Sequence, residues 1–339
     1  MPIKSLDFRL YCSDNAQERQ RFSEDLCETL SVYGFAKIRH SSLPKEIIDR
    51  LFEFNKRFFD LPNSSKAKAA HPEAPNPHRG WSAVGKETLK GTRDDEQGKK
   101  LNDGYQEYRE SFDQGAASDT LFPNRWPDEA DLPGFRAFME DVYDRFHELH
   151  THLLRAITAG LGLSVDDHYL LSKHQCNTSE LRLLHYPAIP RRTMRAGGGM
   201  RIGEHSDFGT LTLLLQDSVG GLQVEDQRHG PLGKFIPIES EDVYEVIVNV
   251  GDCLQRWTNR ALRSANHRVT LPEAKGAADE DDEHAMLPRR YSVAYFGKPD
   301  RHVLVDTLPE FVRPGATPEY TDGLTTLEYN QLKLARTYG

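Results

Sequence analysis

The chain has 339 residues, enough for one large domain or two smaller ones, and its 37% hydrophobic and 28% charged residues are typical of a soluble globular protein. A net charge of −9 argues against a nucleic-acid-binding protein, which needs a basic face, and against binding to anionic membranes. The first residues lack the apolar run of a signal peptide, and no stretch of about 18 apolar residues predicts a membrane span. We therefore expect a cytoplasmic protein.

The first third of the chain is predicted to be mostly helical. Phe22, Leu26 and Leu30 recur at four-residue spacing, which puts them on one face of a helix that Gly34 is expected to end. A short strand and a second helix are expected to follow, at residues 35–38 and from Pro44 onward. Residues 61–105 are rich in Pro, Asn, Gly and Lys, which predicts a long loop and a candidate lid.

The remaining two thirds of the chain combine one long helix with many short strands. An apolar stripe predicts a helix over 134–162. Runs rich in Leu, Val, Ile, Thr and Tyr then predict strands at 211–215, 222–224, 246–250, 268–270 and 291–296. The acidic run 279–283 indicates a solvated hairpin loop, and a last helix is expected over 324–336.

These elements predict a mainly β protein with flanking helices. Several short strands at regular spacing are typical of a β-sandwich or barrel. We expect an N-terminal helical and loop region at 1–130 packed on the core, a long helix plus β core at 131–310, and a C-terminal tail helix at 311–339, together forming one structural domain.

Three residues form the strongest candidate site. His205 and Asp207 lie two positions apart, so in a strand their side chains would point to the same face. His267 lies shortly before another strand-like run and is the candidate third ligand. Two histidines and one carboxylate on one face leave coordination positions open, the arrangement of non-haem Fe(II) oxygenases.

A histidine two positions before an acid is weak by itself, because roughly one such pair is expected by chance among 14 histidines. His71-Pro72-Glu73 is a second example, in a proline-rich loop. His147-Glu148-Leu149-His150 resembles a zinc motif but misses the required spacing by one residue. We interpret the latter as the polar side of a helix.

A second group of residues suits a dicarboxylate. Arg290 and Ser292 alternate onto one face of a predicted strand, where a guanidinium can bind a carboxylate bidentately and a hydroxyl can add a hydrogen bond. Tyr186 could donate a third hydrogen bond. The alternative interpretation of Arg290 is a surface cation beside Arg289.

With these motifs in place, the sequence resembles the isopenicillin N synthase-type 2-oxoglutarate/Fe(II) dioxygenases over nearly its whole length. The matching stretches, in the expected order, are Gly34-Phe35, Arg109-Glu110-Ser111-Phe112-Asp113-Gln114-Gly115, Glu204-His205-Ser206-Asp207-Phe208-Gly209-Thr210, Gly220-Gly221-Leu222-Gln223-Val224, Asn249-Val250-Gly251-Asp252, Asn266-His267-Arg268-Val269 and Arg290-Tyr291-Ser292. The resemblance implies a double-stranded β-helix, or jelly-roll, core.

The resemblance also implies roles for individual residues. His205, Asp207 and His267 would hold Fe(II), and Arg290, Ser292 and Tyr186 would bind the co-substrate 2-oxoglutarate, with O₂ as oxidant. Asn249, Gly251 and Asp252 would be structural turn residues. The nearest likeness within the family is to thymine-7-hydroxylase and to fungal oxygenases that tailor secondary metabolites.

Likeness to thymine-7-hydroxylase implies a substrate side formed by Arg182, Phe208 and Phe296. Phe208 and Ser179 replace polar residues of that enzyme type, so thymine itself is disfavoured. We expect oxidation of a small organic molecule by hydrogen abstraction from a C–H bond, with hydroxylation, desaturation or ring rearrangement as the outcome. The alternatives are a pyrimidine-base hydroxylase, an iron oxidase independent of 2-oxoglutarate, and an inactive binding protein on the same fold.

Overall fold

The structure is a computed structural model that describes residues 3–72, 79–87, 107–163, 168–196, 200–226, 234–270 and 285–338. Its helices are α1 Ala16–Tyr33, α2 Lys45–Asp60, α3 Asn63–Ala67, α4 Phe135–Gly160, α5 Arg191–Ala196, α6 Asp252–Trp257 and α7 Thr326–Tyr338. Its strands are β1 Ser5–Asp7, β2 Phe35–Arg39, β3 Gly80–Ser82, β4 Glu110–Gly115, β5 Glu180–Tyr186, β6 Ile189–Pro190, β7 Met200–His205, β8 Leu211–Gln216, β9 Leu222–Glu225, β10 Phe235–Pro237, β11 Val246–Val250, β12 His267–Thr270, β13 Met286–Leu287 and β14 Arg290–Phe296.

The strands form a large sheet facing a smaller one. The large sheet has the order β1-β2-β11-β8-β14-β5-β4-β3, and the smaller sheet has the order β10-β9-β12-β7. Apart from the parallel β1–β2 pair, the pairings in these sheets are antiparallel. Solved structures with the same arrangement are 2-oxoglutarate oxygenases with a double-stranded β-helix, which confirms the predicted fold class.

Strand alternation separates two cores. Residues 291, 293 and 295 of β14 join the core beneath the helices, where α2 and α4 pack on the large sheet. Ala294 and Phe296 instead belong to a second cluster between the two sheets. Because side chains of a strand alternate between faces, every second residue of β5, β8, β11 and β14 is directed into the space between the sheets.

The N-terminal region is part of the sheet scaffold as well as its cover. β1 and β2 lie at one edge of the large sheet, and β3 and β4 lie at the other. Helix α1 packs along α4, and Gly34 ends α1 with a φ of 71°. The division at residues 130 and 310 remains a prediction.

Most predicted elements are present. The helices predicted around residue 26, after Pro44, at 134–162 and at 324–336 are confirmed, as are the five strands. The predicted loop from 61 is wrong at its start, because α3 and β3 fall within it; 73–78 and 88–106 lie outside the described residues, as does the acidic run 279–283. Among the described residues, no helix is both long and apolar enough to span a membrane.

Candidate active site

His205, Asp207 and His267 meet between the two sheets. His205 ends β7 and His267 begins β12, and the register of the small sheet pairs them directly. Their ring centroids are 4.2 Å apart, and each Nε2 lies 3.8 Å from Oδ1 of Asp207. The ligand atoms of the three residues lie within 4.8 Å of one another, so the group could hold a metal ion.

The protonation of the two imidazoles suits a metal. Nδ1 of His205 lies 2.8 Å from the carbonyl of Gly203, and Nδ1 of His267 lies 3.2 Å from the carbonyl of Ala265. Since Nδ1–H donates to these carbonyls, each Nε2 keeps its lone pair directed at the shared point. Burial, together with the neighbouring His267, lowers the pKa of His205 to about 3, so this imidazole stays neutral. This donor set fits Fe(II).

Asp207 departs from the predicted strand geometry, because β7 ends at His205 and the carboxylate lies just beyond it. Its Oδ2 accepts hydrogen bonds from Thr212 Oγ1 at 2.6 Å and from Asn249 Nδ2 at 2.7 Å. Burial by itself raises the pKa of Asp207, but His267, His205 and these two donors together bring it below its usual value. The large sheet thus fixes one oxygen and leaves Oδ1 for a metal.

Asn249 is therefore not the turn residue that the sequence comparison implied. It lies within β11, whose five residues are all buried, and it pairs in register with Thr212 of β8. Neither residue was predicted to act at the site. Each stands out only as a polar side chain inside a run of apolar ones.

Close backbone packing holds the segment after Asp207. A Cβ at Gly209 would lie 2.1 Å from the carbonyl oxygen of Gly297, and one at Gly251 would lie 2.4 Å from that of Gly209. These glycines let the loop approach the end of β14 and the start of α6. There the amide of Asp252 donates to the carbonyl of Asp207 at 2.8 Å.

The structure brings Arg290, Ser292 and Tyr186 together beside the histidines. Arg290 is 1% exposed, so the alternative of a surface cation is wrong. Its Nη1 donates to Ser292 Oγ at 3.2 Å, its Nη2 donates to Gln216 at 2.8 Å, and its guanidinium lies 4.9 Å from the ring centre of Tyr186. A carboxylate would find a buried guanidinium and a hydroxyl in one place.

A second buried guanidinium, not predicted from the sequence, lies beside this group. Arg201 is also 1% exposed and lies 5.7 Å from the ring centre of Tyr186. Its Nη2 donates to the carbonyl of Pro288 at 2.6 Å. Burial, followed by the charge of Arg290, lowers the pKa of Arg201 to about 10. The tyrosine is thus held between two arginines.

All nine predicted site residues line one cavity of about 150 Å³. Arg182 and Phe296 are neighbours in it, with the guanidinium 5.9 Å from the ring centre, and Phe208 lies on the wall near the iron-binding candidates. An apolar cavity of about this size accepts a ligand as small as benzene. The site therefore suits small molecules.

One wall of the cavity carries charges of both signs. Arg182 pairs with Asp113 at 2.6 Å and with Glu87 at 3.1 Å, and Arg109 lies 3.3 Å from the same Glu87. Burial raises the pKa of Asp113 to about 6, although the Arg182 guanidinium opposes this. Of these residues, sequence reasoning assigned only Arg182 to the site.

Two further charges on the cavity wall come from the ends of β5 and β14. Glu180 and Lys298 are 2.5 Å apart, and both line the cavity. Three cations and two carboxylates thus face the ligand, all of them in close ion pairs.

The rival histidine motifs have other partners. Nδ1 of His71 accepts a hydrogen bond from the Arg79 amide at 3.1 Å, and Glu73 lies outside the described residues. His147 contacts the hydroxyl of Tyr295 at 2.9 Å, and His150 contacts the hydroxyl of Thr210 at 3.2 Å. Within the described part of the chain, neither motif belongs to a group that could hold a metal.

The fold and the site define a non-haem iron oxygenase, and comparison with known proteins agrees. Residues 177–299 match the family described as the 2OG-Fe(II) oxygenase superfamily, and residues 3–129 match the N-terminal region described as that of a non-haem dioxygenase in morphine synthesis. The chain belongs to the 2OG-Fe(II) oxygenase superfamily and is a 2-oxoglutarate-dependent dioxygenase. It uses Fe(II), 2-oxoglutarate and O₂.

Its relatives are fungal enzymes of the same kind. The chain is 65% identical over 339 residues to the 2-oxoglutarate-dependent dioxygenase htyE of Aspergillus rugulosus, and 48% identical over 338 residues to the proline hydroxylase buaE of Petromyces alliaceus, with all of each chain covered. A full-length Neurospora crassa protein, solved in complex with alpha-KG and thymine, superimposes with a TM-score of 0.83 at 31% identity, over 98% of this chain and 96% of that one. The predicted family is confirmed, and the enzyme oxidises a small organic molecule.

Proposed function

We propose that this enzyme hydroxylates a small free amino acid, with L-proline as the first substrate to test. The observation that carries the proposal is the cavity wall of Arg109, Arg182 and Lys298 with Glu87 and Glu180. A zwitterion brings one charge of each sign and so complements a wall that carries both. The name of the relative buaE, a proline hydroxylase, supports the same substrate class.

The charged wall also supports selectivity. Arg182 is buried, and it donates hydrogen bonds to Asp113 and Glu87, which are both carboxylates, so the guanidinium is held in one orientation. A buried polar site rejects a ligand that lacks the matching group, because its own charges are then left without a partner. We expect an amine without a carboxylate, or a carboxylate without an amine, to be a poor substrate.

Within this proposal, His205, Asp207 and His267 hold iron, and Arg290, Ser292 and Tyr186 hold the remote carboxylate of 2-oxoglutarate. Iron with 2-oxoglutarate and O₂ supplies the oxidant that removes a hydrogen atom from the substrate. The protein orients the substrate and excludes water, for which Phe208 and Phe296 supply apolar walls. The charge of −9 favours a cytoplasmic enzyme acting on small molecules and not on nucleic acids.

The test is a substrate comparison with the Fe(II)-loaded enzyme. Succinate release and oxidised product are measured by mass spectrometry with L-proline, with pyrrolidine, which lacks the carboxylate, and with cyclopentanecarboxylic acid, which lacks the amine. We expect product with L-proline and little with either analogue. Equal turnover of all three compounds would refute recognition of a zwitterion.

A second candidate is hydroxylation of a pyrimidine base. The similarity to the Neurospora crassa protein in complex with thymine favours it, as do Arg182 and Phe296 in one cavity. Thymine is therefore included in the same comparison. Product from thymine and none from L-proline would replace the amino-acid proposal with this one.

A further inference from the structure

The C-terminal helix α7 contributes a polar side chain to the catalytic cavity. Asn330 is 8% exposed and lines the cavity together with His205 and Asp207. Its Oδ1 is buried and has no hydrogen-bond partner among the described residues. A buried amide oxygen without a partner costs free energy, so its natural complement is a donor that enters with the ligand.

The helix is held so that this amide keeps its position. One turn of α7 carries Tyr329 and Lys333, and Oδ2 of Asp252 accepts hydrogen bonds from both, at 2.9 and 2.8 Å. The Asp252 amide in turn donates to the Asp207 carbonyl at 2.8 Å. Asn330 is therefore tied, through short and buried contacts, to the backbone of the metal-binding segment.

The chemistry of the other cavity residues indicates which ligand atom it meets. The carboxylates Glu87 and Glu180 are already in ion pairs with arginine or lysine, at 3.1 Å to Arg182 and 2.5 Å to Lys298. Asn330 Oδ1 is neutral and uncommitted among the described residues. An amide oxygen accepts N–H donors, and an amino-acid ammonium must place every N–H when it is buried.

We propose that Asn330 is a substrate-binding residue whose Oδ1 accepts a hydrogen bond from the substrate's ammonium group. This rests on the proposed amino-acid substrate. Helix α7 is then part of the substrate pocket as well as its cover. The side chain selects ligands that carry an N–H donor at this point.

The test compares Asn330→Leu with Gln331→Leu. Gln331 is the next residue of the same helix, carries the same amide and is exposed, so it is a matched control. KM for L-proline, KM for 2-oxoglutarate and the ratio of oxidised product to succinate are measured. We expect Asn330→Leu to raise the KM for L-proline about 10-fold or more and to lower the product ratio, with the KM for 2-oxoglutarate unchanged. Asn330→Asp, which keeps the acceptor, should retain most of the affinity.

Three outcomes would overturn the proposal. One is a KM for L-proline in Asn330→Leu equal to that of Gln331→Leu. Another is an equal loss of affinity for 2-oxoglutarate, which would show a structural role. The third applies if Asn330→Leu does not fold: Asn330→Asp and Asn330→Ala then serve, and equal KM values for these two variants would count against an acceptor.

Failure of the proposed function is a separate result. In that case the wild-type enzyme forms no product from L-proline, whatever Asn330 does. The variants are then compared on the compound that does yield product. An unchanged KM in Asn330→Leu for that compound would overturn the role of Asn330 as well.

Discussion

Thr212→Val tests whether the large sheet sets the affinity of the metal site. Thr212 is 5% exposed, and its hydroxyl donates one of the two hydrogen bonds to Oδ2 of Asp207, at 2.6 Å. Valine has nearly the same shape, so the change removes the donor and little packing. A hydrogen bond to a charged group contributes about 1.5–3 kcal/mol. Partners of metal ligands typically contribute about 10- to 100-fold in metal affinity.

The assay is an anaerobic titration of the apo-protein with Fe(II) in the presence of 2-oxoglutarate, followed through the visible charge-transfer band. We expect the Kd for Fe(II) to rise about 10- to 100-fold in Thr212→Val. Thr29→Val is the matched control, because Thr29 is equally buried and its Oγ1 has no hydrogen-bond partner among the described residues. Wild-type affinity in Thr212→Val would refute the reasoning, as would an equal loss in Thr29→Val.

Three further changes test other parts of the molecule. Arg290→Leu should raise the KM for 2-oxoglutarate about 10- to 100-fold, since a charge-assisted pair is lost, while Fe(II) binding alone is retained. Arg182→Met leaves Asp113 and Glu87 without their shared cation and should lower the free energy of unfolding by about 3–5 kcal/mol in urea titrations. Burial lowers the pKa of His174 to about 4 from its usual 6.5, so its contribution to stability is complete above pH 6.5 and is lost as the pH falls towards 4. Between pH 7.5 and pH 5, wild type should therefore lose about 2 kcal/mol more than His174→Gln.

Each of these changes has a result that contradicts it. For 2-oxoglutarate, Arg289→Leu is the control, since Arg289 is 41% exposed by its side chain; an equal effect there would exclude a specific anchor. Unchanged unfolding of Arg182→Met would mean that the buried ion pairs contribute nothing net. Identical pH dependence of wild type and His174→Gln would show that His174 does not titrate in this range.

The sequence predicted the fold well where the signal was local. The strand Arg290–Phe296 alternates clearly, and its pattern placed Arg290 and Ser292 on one face, as the structure has them. β4 was not predicted, although Glu110–Gly115 was noticed as a motif. Its six residues are all buried and include charged ones, so alternation of polar and apolar residues could not reveal it.

The candidate site was predictable in part for the same reason. His205, Asp207 and His267 are recognisable by residue type and spacing. The supporting residues Thr212 and Asn249 are not, because their role depends on two sheets meeting face to face. Nothing in the local sequence tells which buried polar residue of one strand will meet a carboxylate carried by another segment.

The charged wall and the tail helix were harder still. Glu87 and Arg109 come from segments far from the core strands, and only tertiary packing brings them to Arg182. Asn330 lies in a helix whose sequence predicted no more than a helix. Its importance lies in where the helix is anchored, which no local pattern records.

The strand order of the large sheet has a consequence for how the chain folds. Strand β2 emerges early from the ribosome, but Ala36 pairs with Val248, so at typical synthesis rates its partner arrives roughly 10 to 40 s later. Such non-local pairing slows folding, and strand edges that wait without partners invite association with other chains. The nascent N-terminal segment is therefore the part most dependent on chaperones, and the metal site between the sheets cannot form until the small sheet is also complete.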